Sequence, residues 1–214
     1  FNNRIYGLTK GQYSPTSEAG KKTKSSPLGS LDYPFNPPSL ALGAGGTFIA
    51  RAIDREQKHL NSVLKEAHAH KGTSYVEIYQ NCNIFNDGAF SDLTEKETKM
   101  ETQLVLEHGN PMIFGKDKNK GLKLSGSQFE IIQLNGNYTA DDVLIHNVED
   151  KNLAILLSEL TYQPEFPKPI GVFYKENKQT YENLMVEQIN NAVNSKGIKD
   201  FDALIRASHT WDVN

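Results

Sequence analysis

Residues Thr47 to Tyr79, TFIARAIDREQKHLNSVLKEAHAHKGTSYVEIY, decide the fold class. Thr47 to Ile53 mixes apolar and small residues in the manner of a buried strand. Asp54 opens a helix that the spacing carries to about His70, because Leu60, Val63, Leu64 and Ala67 recur at i, i+3, i+4 and i+7 as one apolar stripe. Lys71-Gly72 closes that helix, the glycine serving as its C-terminal cap. Ser74 to Tyr79 reads as a second strand. Strand, helix and strand in so short a span make a βαβ unit, which predicts a mostly parallel sheet flanked by helices.

Upstream, Leu31 to Pro38 is extended and turn-rich, since a residue preceding proline is pushed out of the helical region. Ser39 is then placed to cap a short helix, SLALGAG. Before it stands Phe1 to Gly29, FNNRIYGLTKGQYSPTSEAGKKTKSSPLG, with almost no apolar content after Leu8. Its glycines permit close backbone approach to a ligand. Its hydroxyls and Lys10, Lys21, Lys22 and Lys24 are the donors that a phosphorylated ligand needs. A solvated Ser/Gly/Lys linker has the same composition, and both readings stand on residues alone. There is no initiator Met, and Phe1-Asn2-Asn3 reads like the end of a strand whose beginning is missing, so a piece of a longer polypeptide is expected.

Downstream the pattern changes at Gln80. QNCNIFNDGAFSD is a loop of amides and aromatics, and a charged helical stretch runs from Thr94 to about Met100. Short β-like pieces follow at Gln103 to Leu106, Pro111 to Phe114, Leu122 to Leu124 and Phe129 to Leu134, with a turn at Lys116 to Gly121. Asp141 to Val148 fits a strand or a helix start. Asn152 to Leu160 is a helix, Gly171 to Tyr174 a strand, and Tyr181 to Asn194 a helix with Leu184, Met185, Ile189 and Val193 on one face. A short helix from Phe201 to Ala207 and the tail His209 to Val213 close the chain.

The 214 residues are 37% hydrophobic and 23% charged, with ten Phe and nine Tyr, so a folded core is expected and wholesale disorder is not. A net charge of −3 gives no reason to invoke nucleic acid or an anionic membrane surface. No apolar run is long enough to span a membrane. The single cysteine excludes an internal disulfide framework and suits a reducing, cytoplasmic setting. No pair among the six histidines has helical or finger-like zinc spacing, and His68 and His70 near a helix end suit the helix dipole. Asp141-Asp142 and Glu149-Asp150 read as solvated turns.

A strand ending in Asn-Asn, followed two residues later by Tyr-Gly-Leu-Thr, resembles the second half of the thiamine diphosphate fingerprint. In that family a Gly-Asp-Gly closes one strand and the asparagine pair closes the next. Magnesium takes near-octahedral oxygen ligands. The resemblance implies that Asn3 gives its side-chain oxygen and Ile5 its carbonyl, while Gly7, Leu8 and Thr9 line the cofactor. The longer strings NNRIYGLTKGQYSPTS, TKSSPLG, NPPSLALGAG, VEIYQNCNIFNDGAF, LEHGNPMIFGKDKNKG and PIGVFYKENKQTYENLM resemble the β subunits of 2-oxoacid:ferredoxin oxidoreductases, particularly the 2-oxoglutarate type, over essentially the whole chain.

That resemblance implies a thiamine diphosphate-binding α/β fold lacking its N-terminal part. Residues 1–82 would be the C-terminal half of the cofactor domain and 83–214 a C-terminal α+β extension. It implies a [4Fe–4S] cluster for which Cys82 matches the fourth cysteine, although a lone thiol is by itself more often a buried, inert one. It implies an α subunit, ferredoxin, a 2-oxoacid and coenzyme A as partners, and neither nucleic acid nor membrane. Alternatives are a pyruvate or branched-chain enzyme of the same build, or a non-catalytic module that keeps the fold. The chain contains no Gly-Asp-Gly and no second cysteine, so both cofactor sites would be half-sites here.

Overall fold

The computed structural model describes residues 1–197, 200–207, 211 and 213. His209, and with it part of the tail read above, lies outside the described residues. Two compact units divide the chain at Asn177 and Lys178.

In the first unit, helix α1 (Pro37–Gly43) precedes strand β1 (Phe48–Ile53), helix α2 (Gln57–Ala69) and strand β2 (Ser74–Tyr79). β1 and β2 pair in parallel from Phe48–Ser74 to Ile53–Tyr79, as the βαβ pattern predicts. Two short helices, α3 (Ser91–Thr94) and α4 (Lys99–Thr102), replace the single charged helix expected there and lead into β3 (Gln103–Leu106). Strands β4 (Ile113–Phe114), β5 (Lys120–Ser125) and β6 (Gln128–Gln133) form an antiparallel sheet of their own. Helix α5 (Lys151–Glu159) and strand β7 (Lys168–Lys175) complete the unit.

The larger sheet has the order β2-β1-β7-β3. β7 runs parallel to β3 but antiparallel to β1, with an irregularity between Ile49 and Ala50. All six residues of β1 are buried, as befits a central strand covered on both faces. Phe48 and Ala50 pack with Val63 of α2 on one face. Ile49 packs on the other with Leu42 of α1, Leu157 of α5 and Leu122 of the smaller sheet. Gly171 of β7 has φ +109°, and a Cβ there would stand 2.7 Å from the Leu106 carbonyl oxygen, so the β7–β3 register requires glycine.

Several sequence expectations shift. Asn36, not Ser39, caps α1, its side chain accepting from the Ser39 amide at 3.4 Å. α2 begins at Gln57 rather than Asp54 and ends with His70 as its cap residue. Of the four stripe residues only Val63 is buried; Leu60 and Ala67 are half-buried and Leu64 is exposed. The sheet offers α2 room for a narrow contact, and periodicity cannot report how wide the covering surface is. Ala140–Asp142 is a single 3-10 turn, after which the chain is extended and Ile145 bridges to Pro111.

The second unit holds α6 (Tyr181–Lys196) and α7 (Phe201–Ile205). Thr180 and Asp200 cap them with side-chain oxygens. No residue of either helix is buried.

One charged pair sits inside the larger sheet. Arg51 of β1 and Glu77 of β2 face each other in register and pair Nε to Oε2 at 2.7 Å, with side-chain exposures of 0% and 3%. Losing one member leaves the other charge buried alone, whereas replacing both with apolar residues is often neutral. Glu77→Ala should therefore lower stability by about 3–5 kcal/mol in urea unfolding, and the double variant Arg51→Met/Glu77→Leu should recover most of it. A single variant as stable as the parent would contradict this.

Candidate cofactor site

The first three residues form one more rung on the outer edge of β2. The Asn2 amide donates to the Ile78 carbonyl at 2.8 Å, and the Gln80 amide donates to the Asn2 carbonyl at 3.1 Å, a parallel bridge with Tyr79. Three segments therefore run the same way and end together at Asn3, Tyr79 and Ile53. β7 runs oppositely, so its first residue, Lys168, arrives at that same edge. The carboxyl ends of parallel strands are the ordinary place for a ligand in an α/β sheet.

The two asparagines divide their work. Asn2 is used up structurally: its Nδ2 donates to Glu77 Oε1 at 2.7 Å, and its Oδ1 accepts from the Arg4 amide at 3.0 Å and from Thr16 Oγ1 at 2.7 Å. Asn3 turns its Nδ2 to the Gln80 carbonyl at 3.0 Å. Its Oδ1 accepts no hydrogen bond from the described residues, and neither does the carbonyl of buried Ile5. Two uncommitted oxygens two residues apart suit a hard divalent cation.

Between them Arg4 adopts φ 52°, a left-handed conformation uncommon outside glycine. Its guanidinium lies over the Phe90 ring at 4.7 Å and the Tyr79 ring at 5.4 Å, and those rings stack at 4.5 Å. Its carbonyl accepts from Ser17 Oγ at 2.6 Å and Asn86 Nδ2 at 3.2 Å. The chain then makes a tight excursion closed by Tyr6 and Gln12, with Lys10 at φ 67° and Gly11 at φ 96°. A Cβ on Gly11 would stand 2.9 Å from Phe85. Gly7, Leu8 and Thr9 form the tip, where Leu8 is 98% exposed. Asn3 and Ile5 thus sit at the sheet edge, and Leu8 and Thr9 project from it.

Cys82 is half-buried two residues beyond Gln80, in a turn closed by the Asn86 amide donating to its carbonyl at 3.0 Å. Asn81 braces the turn through Asn83 at 2.8 Å and Asp87 at 2.7 Å. The lysines separate. Lys21 bonds Glu18 at 2.8 Å and Asn86 Oδ1 at 2.5 Å, while Lys10, Lys22 and Lys24 line an open groove of about 570 Å³ beside Phe85. Among the described residues no three His, Cys, Asp or Glu side chains cluster for a metal. His70 Nε2 meets Thr47 Oγ1 at 2.9 Å and His146 Nε2 meets the Val172 carbonyl at 2.8 Å.

Sequence reasoning missed Arg51, Glu77 and Asn86. A signal for the first two was present: each is the fourth residue and the one charged residue of its strand, so a parallel pairing in register brings them face to face. Asn86 carried no such mark within an ordinary-looking NDG turn.

A family model described as the C-terminal TPP binding domain of thiamine pyrophosphate enzymes matches residues 1–78. The 2-oxoglutarate oxidoreductase subunit KorB of Mycobacterium tuberculosis is 43% identical over 218 residues, covering 100% of this chain and 58% of that subunit. The 2-oxoacid:ferredoxin oxidoreductase subunit beta of Saccharolobus solfataricus is 45% identical over 86 residues, 40% of this chain and 28% of that protein. A solved structure of a 2-oxoglutarate:ferredoxin oxidoreductase from Magnetococcus marinus, with 2-oxoglutarate, coenzyme A and succinyl-CoA bound, matches 97% of this chain and 56% of its own at TM-score 0.65 and 25% identity. The chain therefore spans little more than half the length of the relatives it matches from end to end.

Lys168 gives the site edge its own pH signature. Burial lowers its pKa to about 8, with Asp92 and Glu165 opposing the shift and Arg4 and Arg51 adding to it, while Nζ donates to the carbonyls of Leu160, Gln163 and Phe166. The unfolded chain, with the ordinary 10.5, binds more protons between about pH 8 and 10.5, so this group's contribution to stability rises with pH across that window. The raised phenols of Tyr75 and Tyr79 oppose it only above the unfolded value of 10.0. Lys168→Met should flatten the rise in urea midpoint between about pH 7.5 and 9.5; an unchanged slope would contradict the assignment.

Proposed function

We propose, from its similarity over its whole length to the M. tuberculosis 2-oxoglutarate oxidoreductase subunit and over 40% of it to a 2-oxoacid:ferredoxin oxidoreductase subunit beta, that this chain is the downstream part of a 2-oxoacid:ferredoxin oxidoreductase β subunit. The complete enzyme converts a 2-oxoacid, coenzyme A and two oxidised ferredoxins into an acyl-coenzyme A, CO2, a proton and two reduced ferredoxins. 2-Oxoglutarate is the favoured substrate, because that is the substrate class of the M. tuberculosis relative and of the M. marinus structure. The observation that carries the proposal is the pair of uncommitted oxygens, Asn3 Oδ1 and the Ile5 carbonyl, at the carboxyl edge of the sheet.

On this reading the two oxygens hold Mg2+, and Gly7, Leu8 and Thr9 lie along thiamine diphosphate. When bound, that cofactor supplies the nucleophilic carbon that attacks the keto group and the electron sink for decarboxylation. The protein's work is positional. Asn2 fixes the loop to Glu77, the stacked Tyr79 and Phe90 rings with Arg4 across them make a dry floor, and the Asn3 amide is oriented by the Gln80 carbonyl. Cys82, half-buried in its turn, would supply one thiolate to a [4Fe–4S] cluster, a group whose chemistry is one-electron transfer. The remaining ligands of both sites, and an α subunit, come from outside this chain. Residues 1–82 act as the cofactor-domain share and 83–214 as the extension. A cytoplasmic setting follows from the ferredoxin and coenzyme A chemistry, and no helix among the described residues is long and apolar enough to cross a membrane.

In the complete enzyme, Asn3→Ala should weaken magnesium-dependent retention of thiamine diphosphate by at least roughly tenfold, read as cofactor content after gel filtration. Unchanged content would remove Asn3 from the metal shell. Cys82→Ser should lower iron per protomer and bleach the cluster's visible absorption. A variant with normal iron and spectrum would make the thiol structural.

A further inference from the structure

The turn carrying Cys82 and the loop carrying Asn3 and Ile5 are far apart in sequence, yet they share one buried side chain. Asn86 is 6% exposed. Its amide N–H closes the Cys82 turn at 3.0 Å. Its Nδ2 donates to the Asn3 carbonyl at 2.9 Å and to the Arg4 carbonyl at 3.2 Å. Its Oδ1 accepts from Lys21 Nζ at 2.5 Å. A primary amide is suited to this place: two donor hydrogens for two carbonyls, and an acceptor for an ammonium.

The contact falls where the loop most needs holding. Arg4 sits at φ 52°, and such backbone persists where neighbouring structure over-determines it. Asn86 and Ser17 Oγ both bond its carbonyl, and the peptides on either side belong to Asn3 and Ile5.

We propose that Asn86 is a positioning residue that locks the Cys82 turn onto the Asn3–Ile5 loop, so that the iron-ligating thiolate and the magnesium-ligating oxygens are held by one clamp. The proposal rests on the ligand roles given above to Asn3, Ile5 and Cys82. An apolar residue at 86 releases both carbonyls. An aspartate of the same shape keeps Lys21 but turns a carboxylate oxygen toward two carbonyl oxygens.

The test uses the complete enzyme with Asn86→Ala and Asn86→Asp, measuring thiamine diphosphate affinity at saturating Mg2+ and iron lost to a chelator over time. Removing a partner that orients a metal ligand typically costs 10–100-fold in affinity, so a thiamine diphosphate Kd raised roughly tenfold or more is expected in both variants, together with faster iron loss. Turnover at saturating thiamine diphosphate should recover far more than affinity does, a split that general destabilisation would not produce. Val63→Ala, a cavity in the core under α2, serves as the control that should move neither quantity. Either quantity staying at the parent value in both variants overturns the proposal, as does equal movement in the control. Should both Asn86 variants prove insoluble, Lys21→Ala removes the amide's acceptor-side partner and must shift both quantities in the same direction, or the proposal fails. Failure of the underlying roles is read separately: Asn3→Ala then leaves cofactor content unchanged and Cys82→Ser leaves iron unchanged, whatever the Asn86 variants do.

Discussion

The buried pair between Arg51 and Glu77 sets the terms for the rest of the molecule. A guanidinium and a carboxylate inside a sheet cost desolvation, which further hydrogen bonds to their remaining donors and acceptors offset. Arg51 gives one hydrogen bond to the Pro169 carbonyl at 3.2 Å and lies between the Tyr79 ring at 4.9 Å and the Phe173 ring at 5.3 Å. Its second terminal nitrogen is buried without a partner among the described residues. Glu77 has one oxygen left over, and Asn2 takes it. In the observed register it is Asn2 that meets this demand. A slip by one residue would put Asn3 against the carboxylate and swing every side chain of the segment to the opposite face.

From that register the loop follows. With Asn2 spent on Glu77, Thr16 and Arg4, Asn3 is left with its side-chain Nδ2 held by the Gln80 carbonyl and its Oδ1 without a partner among the described residues. Arg4 turns left-handed between Asn3 and Ile5, and Ser17 and Asn86 secure its carbonyl. The order Asn-Asn-x-Ile thus has a physical reading. One asparagine belongs to the sheet; on the proposed function the other, with the backbone oxygen two residues on, belongs to the ligand. A magnesium shell needs more oxygens than these two. On the proposed function the diphosphate and residues outside this chain complete it.

Much of the architecture was legible in the sequence because it follows from local pattern. Ser74 to Tyr79 and Gln103 to Leu106 are strands with the expected bounds, and Thr47 to Ile53 differs by one residue. What was not legible depended on partners distant in sequence. Leu64 fits the apolar stripe of α2 yet is exposed, since the width of the contact is set by β1 and β2. β7 reads like any other apolar strand, and nothing local says that it enters antiparallel to β1. Asn3 and Ile5 were singled out as candidates through the order of the residues around them, which resembles a known fingerprint. Asn86 was not, because its role lies in three bonds to residues more than sixty positions away.

On the proposed function, Asn3 and Ile5 present oxygens to a divalent cation at the sheet edge. The direct measurement is a structure of the complete enzyme with thiamine diphosphate and Mn2+ in place of Mg2+, both being ions suited to octahedral oxygen sites. An anomalous peak is expected with Asn3 Oδ1 and the Ile5 carbonyl oxygen both at about 2.1 Å. A manganese peak elsewhere, with either oxygen outside coordination distance, would contradict it.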